Sequence, residues 1–281
     1  MPGTLFVVAT PIGNLEDITL RALRVLREAT VIAAEDTRRT AKLLAHHGIP
    51  TPMLSFHDHN TRSRLPQILA RLERGDHVAL VTDAGTPGVS DPGVELVAAC
   101  AERKIPVDVI PGASAPLVAV VASGFPMEPL TIFGFPPARA KARIEWLTHV
   151  AELPNTFTFF EAPHRIHQTL GGAAIYFGYR PIVVARELTK LHQEFIRGDA
   201  ASMLGQLTDL RGEFTVVVGP AIVKGSDPAT ISDEDLVDEF WRMPDLAGTT
   251  RRSRVAVLAK KYGRSTRDVY ALIERAKQSG D

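Results

Sequence analysis

Three loop-like segments in the first half of the chain concentrate the side chains that could do chemistry. The first is Thr10-Pro11-Ile12-Gly13-Asn14. The second is Glu35-Asp36-Thr37-Arg38-Arg39-Thr40. The third, residues 82–93, reads Thr82-Asp83-Ala84-Gly85-Thr86-Pro87-Gly88-Val89-Ser90-Asp91-Pro92-Gly93. A fourth, Pro111-Gly112-Ala113-Ser114-Ala115, has the same character and leads into a helix. Each follows a short apolar run, and in α/β sheets ligands bind beyond the carboxyl ends of strands. Glycine lets the backbone come close to such a ligand. The third loop is not a phosphate loop. No lysine follows its glycines, and the spacing of Gly85 and Gly88 does not fit G-x-G-x-x-G. It offers Asp83, Asp91 and main-chain groups, which suit a cationic or amine-bearing, hydroxyl-rich ligand. Taken alone, this loop also reads as a long strand-to-helix turn without a ligand. Four such loops together weigh against that reading.

Other constellations are weaker. His57 and His59, or His164 and His167 one helical turn apart, have no cysteine or spaced third ligand beside them, so no metal site is expected. His46 and His47 read as surface residues near a helix end. Cys100 sits among apolar neighbours on a helical pattern and reads as a buried structural thiol. No G-x-S-x-G elbow is present.

These loops need elements to hold them. The chain has 281 residues, 45% of them hydrophobic and 23% charged, which is ordinary for a globular protein of about two domains. No apolar run approaches the roughly 20 residues of a membrane helix. The N-terminus lacks the pattern of a signal peptide, and the single cysteine gives no disulfide framework. A cytoplasmic location is the expectation. Net charge is zero but uneven: residues 225–250 carry 1 Lys/Arg against 7 Asp/Glu, and residues 251–281 carry 9 against 3. The basic tail reads either as a phosphate-touching surface or as a solvated helix face.

Short apolar runs alternate with helix-period segments, the pattern of an α/β protein. Strands are predicted over 5–9, 31–34, 53–56, 78–81 and 107–110. Helices carry Leu20, Leu23 and Leu26, then Ile68 and Leu72, then Val94, Val97, Ala98 and Ala101. Asp91 as N-cap with Pro92 following would start that third helix. Turn residues at Gly124, Pro126 and Pro129 suggest a boundary, giving an α/β domain over 1–125 and a second over 126–224. The second is predicted to have strands over 130–134, 156–161, 182–186, 193–197 and 214–219 in a mixed sheet, with helices over 140–150, 164–177 and 200–210. Beyond a linker at 225–228, residues 225–281 read as a helical tail. Its predicted helices cover 233–241 and 253–262, followed by one capped by Ser265 or Thr266.

Several motifs, in order, resemble the tetrapyrrole methylase superfamily. They are Val8-Ala9-Thr10-Pro11-Ile12-Gly13-Asn14-Leu15, Ala34-Glu35-Asp36-Thr37-Arg38, Asp83-Ala84-Gly85-Thr86-Pro87-Gly88, Phe160-Glu161-Ala162-Pro163-His164-Arg165, Ala185-Arg186-Glu187-Leu188-Thr189-Lys190 and Gly212-Glu213-Phe214. The Ala259-Lys260-Lys261 to Val269-Tyr270 region extends the match into the tail. Within the superfamily they are most similar to the branch that 2′-O-methylates a cytidine of small-subunit (16S) ribosomal RNA in the decoding centre. Where the chain has Ala162, relatives more often carry serine.

The resemblance implies two α/β domains with a cofactor cleft between them, the tetrapyrrole methylase fold, plus a small C-terminal helical appendix. It also implies a homodimer and S-adenosyl-L-methionine as cofactor. The cofactor is expected at Pro11, Ile12, Asp83, Ala84, Gly85, Thr86, Val89, Ala113, Ser114, Glu161 and Leu188. The implied reaction is attack of the 2′-hydroxyl oxygen on the sulfonium-bound methyl. Glu35, Asp36 and His57 are then candidate bases. Arg38, Arg165, Arg186 and Lys190 are candidates for holding phosphates or polarising the hydroxyl. Glu161 and Glu187 are equally readable as structural partners of Arg165 or Arg186. Arg38 with loop two, and residues 139–143, are expected to grip the RNA, with Arg165 near the chemistry. Two rivals remain. One is a carbon methylase acting on a tetrapyrrole precursor, against which Thr-Pro-Ile-Gly-Asn replaces that branch's G-x-G-P-G-D. The other is a non-catalytic RNA-binding assembly factor.

Overall fold

A computed structural model describes residues 1–89, 91–221, 231–243 and 250–278. Ser90 of the third loop, the linker at 225–228 and the acidic Asp227 and Asp245 lie outside the described residues, as do the side chains of Lys260 and Lys261. The chain forms two compact units. One comprises residues 1–118 and 187–193, the other 119–186 and 194–281.

The first unit is built on β1 (Leu5–Val8), β2 (Val31–Ala34), β3 (Met53–Ser55), β4 (Val78–Val81) and β5 (Val107–Ile110). They make one parallel sheet in the order β3-β2-β4-β1-β5. β2 and β4 are buried along their whole length, as strands covered on both faces should be. One layer of core gathers Leu5, Val7, Phe56, Ile68, Leu72, Leu80 and Leu96. Another gathers Val8, Ala22, Leu26, Ile32, Leu44 and Val81. The helices are α1 (Leu20–Glu28), α2 (Thr37–His46), α3 (Thr61–Glu73), α4 (Val94–Glu102) and α5 (Ala115–Ser123). α5 carries the chain across the boundary of the two units at 118/119, upstream of the turn residues at 124–129.

Two expectations need correction. The second loop is largely a helix: Asp36 is the N-cap of α2 and accepts from Arg38 N at 2.8 Å. And α4 does not start at Asp91–Pro92. Its N-cap is Gly93 at φ 138°, a conformation that only glycine takes readily. A Cβ there would lie 2.8 Å from Leu80 Cδ2. Residues 91–93 stay in the loop because this glycine must pass close to β4.

In the second unit β6 (Leu130–Ile132), β7 (Thr156–Glu161), β8 (Ile182–Arg186), β9 (Glu194–Gly198) and β10 (Phe214–Val218) form a mixed sheet, β6-β7-β10-β8-β9. Only the β6–β7 pair is parallel. α6 (Ala140–Ala151), α7 (Ile166–Tyr176) and α8 (Ala200–Gln206) pack over it around Phe157, Phe159, Leu170, Phe177 and Val216. Arg180 is buried here with no carboxylate partner among the described residues, and its guanidinium donates to the main-chain oxygens of Leu153, Asn155 and Gly219. Cys100 in the first unit is fully buried, and burial pushes its thiol up to about 11, which suits an inert core residue.

The tail helices α9 (Asp233–Arg242), α10 (Arg251–Lys261) and α11 (Thr266–Gln278) close a core of their own. Leu236, Phe240, Leu258, Val269 and Ile273 meet there, and Ile175 of α7 belongs to the same cluster. Ser265 caps α11 by accepting from Asp268 N at 3.1 Å. No helix among the described residues is long and apolar enough to cross a membrane.

Candidate active site

The loops at the carboxyl end of the first sheet are pinned to one another. Thr10 N donates to Gly85 O at 2.8 Å and Gly85 N returns a bond to Thr10 O at 3.0 Å. Thr10 Oγ1 adds a bond to Thr82 O at 3.1 Å. The fourth loop joins them. A Cβ on Gly112 would lie 2.8 Å from Ala9 Cβ, and one on Gly85 would lie 3.9 Å from Ala113 O. Gly85 itself needs φ +79°. β1 and β4 are neighbours in the sheet, so their two loops leave side by side.

The second loop joins through carboxylates. Asp83 N donates to Glu35 Oε2 at 3.1 Å, and Asp36 N donates to Asp83 Oδ1 at 3.1 Å. Arg39 pairs with the other Asp83 oxygen at 3.3 Å. Burial raises the Glu35 carboxyl above its ordinary range, and the nearby charges of Asp83 and Asp58 raise it further. Burial likewise pushes Asp91 up to about 6, with the Glu35 charge second in effect. Asp36 behaves oppositely. Arg38 holds it with two side-chain bonds, 3.0 Å from Nε and 2.7 Å from Nη2, and keeps its carboxyl well below the usual range. The Arg38 side chain is 88% exposed. His57 lies just past β3, and its Nδ1 is buried without a partner among the described residues.

Residues 187–193, between β8 and β9, contribute to this unit. Glu187 and Thr189 have φ 50° and 64°, a left-handed backbone that side chains rarely adopt. Leu188 between them is buried. The seat is Gly13. A Cβ on it would lie 2.5 Å from Lys190 Cγ and 2.7 Å from both Leu188 O and Thr189 Oγ1. Lys190 Nζ is bonded to Glu187 Oε1 at 2.9 Å. Thr189 Oγ1 is buried and has no partner among the described residues, whereas the buried Thr82 hydroxyl favours the charged form of Asp91 by a side-chain hydrogen bond. Ile12 is buried, Pro11, Ala84, Thr86, Ala113 and Ser114 are half-buried, and Val89 is exposed.

The second unit holds a buried ion pair at the end of β7. The Glu161 carboxylate is fully buried and meets Arg165 Nη2 at 2.6 Å. It also accepts from Thr169 Oγ1 at 2.5 Å and Ala162 N at 2.7 Å. Arg165 donates to Pro136 O as well, and its Nε is buried without a partner among the described residues. Arg186 pairs with Glu194 and Asp209.

The structure thus gathers Pro11, Ile12, Glu35, Asp36, Asp83, Ala84, Gly85, Ala113 and Leu188 in loops that touch one another, and it places Glu161 and Arg165 together in the second unit. It withdraws Arg143 from the RNA-gripping set. That side chain is buried and donates to Pro137 O, Ala138 O and Gln168 Oε1. Arg139 and Lys141 beside it are exposed. Sequence reasoning missed the Gly13 seat. Its one available signal was a glycine in a loop otherwise free to carry side chains.

A family model described as Tetrapyrrole (Corrin/Porphyrin) Methylases matches residues 4–204. A protein of Synechocystis sp. named Ribosomal RNA small subunit methyltransferase I is 43% identical over 273 residues, spanning 96% of this chain and 97% of that protein. One of the same name from Xylella fastidiosa is 47% identical over 222 residues, spanning 77% and 81%. Among solved structures, a conserved hypothetical protein from Aeropyrum pernix K1 superposes with a TM-score of 0.64 at 18% identity, covering 100% of this chain and 98% of that one. Uroporphyrin-III C-methyl transferase from Thermus thermophilus, complexed with S-adenyl homocysteine, superposes with a TM-score of 0.55 at 19% identity, covering 78% and 99%. At such identities the structural likeness bears on the fold alone: two α/β domains.

Proposed function

The chain belongs to the tetrapyrrole (corrin/porphyrin) methylase family, and from that premise we propose that it is an S-adenosylmethionine-dependent methyltransferase of small-subunit ribosomal RNA. The observation that carries this reading is the 43% identity, across 96% of the chain, to a protein named for that activity. The finer reading is that the acceptor is the 2′-hydroxyl of a cytidine in the decoding centre of 16S RNA. The reaction would run in the cytoplasm, with the protein as a homodimer.

The first-unit loops fit the methyl donor. Asp83 and Asp91 offer negative charge to a sulfonium and ammonium. One buried hydroxyl, Thr189 Oγ1, has no hydrogen-bond partner among the described residues and is open to one from a ligand. Gly13, Gly85 and Gly112 keep the main chain bare where loops close on each other. In this reading Pro11, Ile12, Ala84, Thr86, Val89, Ala113, Ser114 and Leu188 line the donor. Glu161 serves mainly by holding Arg165, because its carboxylate is taken up by three bonds.

When bound, S-adenosylmethionine supplies a methyl group made electrophilic by the positive sulfur. The chain's own part is to orient the acceptor and take its proton. Orientation of two bound reactants is worth up to about 7–11 kcal/mol in favourable cases. In this reading Glu35 would take the acceptor hydroxyl's proton at Oε1, since its Oε2 accepts from Asp83 N. Burial raises its pKa above the ordinary carboxylate value, which makes it a better proton acceptor than Asp36, held low by Arg38. Arg38 and Lys190 in the first unit supply positive charge for RNA phosphates, and Arg165 in the second does the same.

Nucleoside analysis of RNA labelled by the purified protein tests the finer reading. Label in 2′-O-methylcytidine supports it, and label on a base or on another nucleoside removes it.

A further inference from the structure

The turn that carries Leu188 ends in a side chain with no role so far. Leu191 is 93% exposed, more than any other large apolar side chain among the described residues except Met1. A lone surface leucine is ordinary. The seat beneath this one is not. Two left-handed residues, Glu187 and Thr189, shape the turn. Leu188 anchors it in the first unit, and Gly13 lies hard against its main chain. Lys190 N donates to Glu187 O at 3.0 Å, and Gln193 N to Lys190 O at 3.1 Å. Thr189 N donates to Gln193 Oε1 at 2.7 Å. The turn is therefore over-determined by bonds and packing, and it holds an apolar tip in water between Lys190 and the exposed His192. Strained backbone that its surroundings enforce is a mark of function.

We infer that Leu191 is an apolar wedge that packs against a nucleobase next to the target nucleotide and keeps that nucleotide out of its stack. This rests on the ribosomal RNA reading above. A stacked nucleotide does not present its ribose hydroxyl to a site built from convergent loops, so displaying it requires unstacking. Proteins that unstack bases insert leucine and similar residues between steps. A rigid turn is the right mount, since a flexible one would fold its leucine back. Lys190 on one side and His192 on the other suit the phosphates that flank the base.

The test compares wild type with Leu191→Ala and the conservative Leu191→Met. Three quantities are read for each: methyl transfer to small ribosomal subunits, S-adenosylmethionine affinity by calorimetry, and oligomeric state by sedimentation. The expected result for L191A is a KM for subunits raised about tenfold or more, with donor affinity, Tm and oligomeric state unchanged, and L191M close to wild type. Chemical probing of the subunit complex should show a base beside the target made reactive by wild type and not by L191A. Equal KM and equal probing patterns for wild type and L191A would overturn the inference. So would a change of oligomeric state in L191A, which would assign the leucine to a second copy of the chain. A wild type that methylates no subunits fails differently, because it removes the functional reading itself.

Discussion

The buried carboxylate of Glu161 holds the Arg165 guanidinium at 2.6 Å, one turn away at the start of α7, and its remaining capacity is filled by Thr169 and Ala162. Breaking such a pair from one side leaves a charge in a site that cannot hydrate it, at a cost of about 3–5 kcal/mol. Arg165→Ala should therefore lower stability by that amount in urea unfolding as well as abolish methyl transfer. Glu161→Gln keeps most of the hydrogen bonds and should cost less. Equal stability of R165A and wild type would refute this account of the pair.

Glu35 is predicted to be the proton acceptor. Glu35→Gln should lower kcat about 10²–10⁴-fold while leaving the affinity for S-adenosylmethionine within a few-fold. The comparison of kcat with donor affinity by calorimetry is decisive: full kcat in E35Q would exclude the role.

Asp91 sets a pH dependence with a definite sign. Its carboxyl is pushed up to about 6 by burial, while in the unfolded chain it titrates near about 4. Between those values the folded chain holds a proton that the unfolded chain has lost, so this group's contribution to stability falls as pH rises through the window. A cation bound alongside favours the ionised form, so donor affinity should rise from pH 5 to pH 7. Asp91→Asn should flatten both trends. An unchanged pH profile in D91N would rule Asp91 out as their source.

Gly13→Ala forces a methyl group against Leu188 O and Thr189 Oγ1, both 2.7 Å away. Displacing the 187–193 turn should cost about 1–3 kcal/mol, as overpacking does, and should weaken donor binding more than it weakens the fold. Calorimetric donor affinity in G13A equal to that of wild type would show that the turn has no part in the site.

Arg38 is mostly in water and, among the described residues, bonds to Asp36. Arg38→Ala should raise KM for subunits and reduce the salt dependence of that KM by about one phosphate contact. An unaltered salt slope would remove Arg38 from the RNA surface.

How much of this was legible beforehand differs between elements for physical reasons. β2, β4, β7 and β8 fall where short, largely apolar runs put them, because a strand packed into a sheet core must be apolar and leaves a clear signature. The start of α4 was misread because Asp91–Pro92 is a good local helix start, and only tertiary approach to Leu80 explains why Gly93 prevents it. Arg143 looked like a free cation by residue type, and only the folded chain shows it spent on main-chain oxygens. The left-handed Glu187 and Thr189 were invisible. Neither residue type prefers that conformation, and the glycine that the turn packs against, Gly13, is far away in sequence. The loops that carry the motifs could be named from sequence. The bonds that lock Thr10 to Gly85 and Glu35 to Asp83 could not.

The central claim is methyl transfer to small-subunit ribosomal RNA, and one competition assay addresses it directly. The protein is incubated with S-adenosylmethionine labelled in the methyl group, together with unmodified small ribosomal subunits and a porphyrinogen. Label in the 16S RNA at a single site is the predicted result. Label in the porphyrinogen, or in neither acceptor, would contradict it.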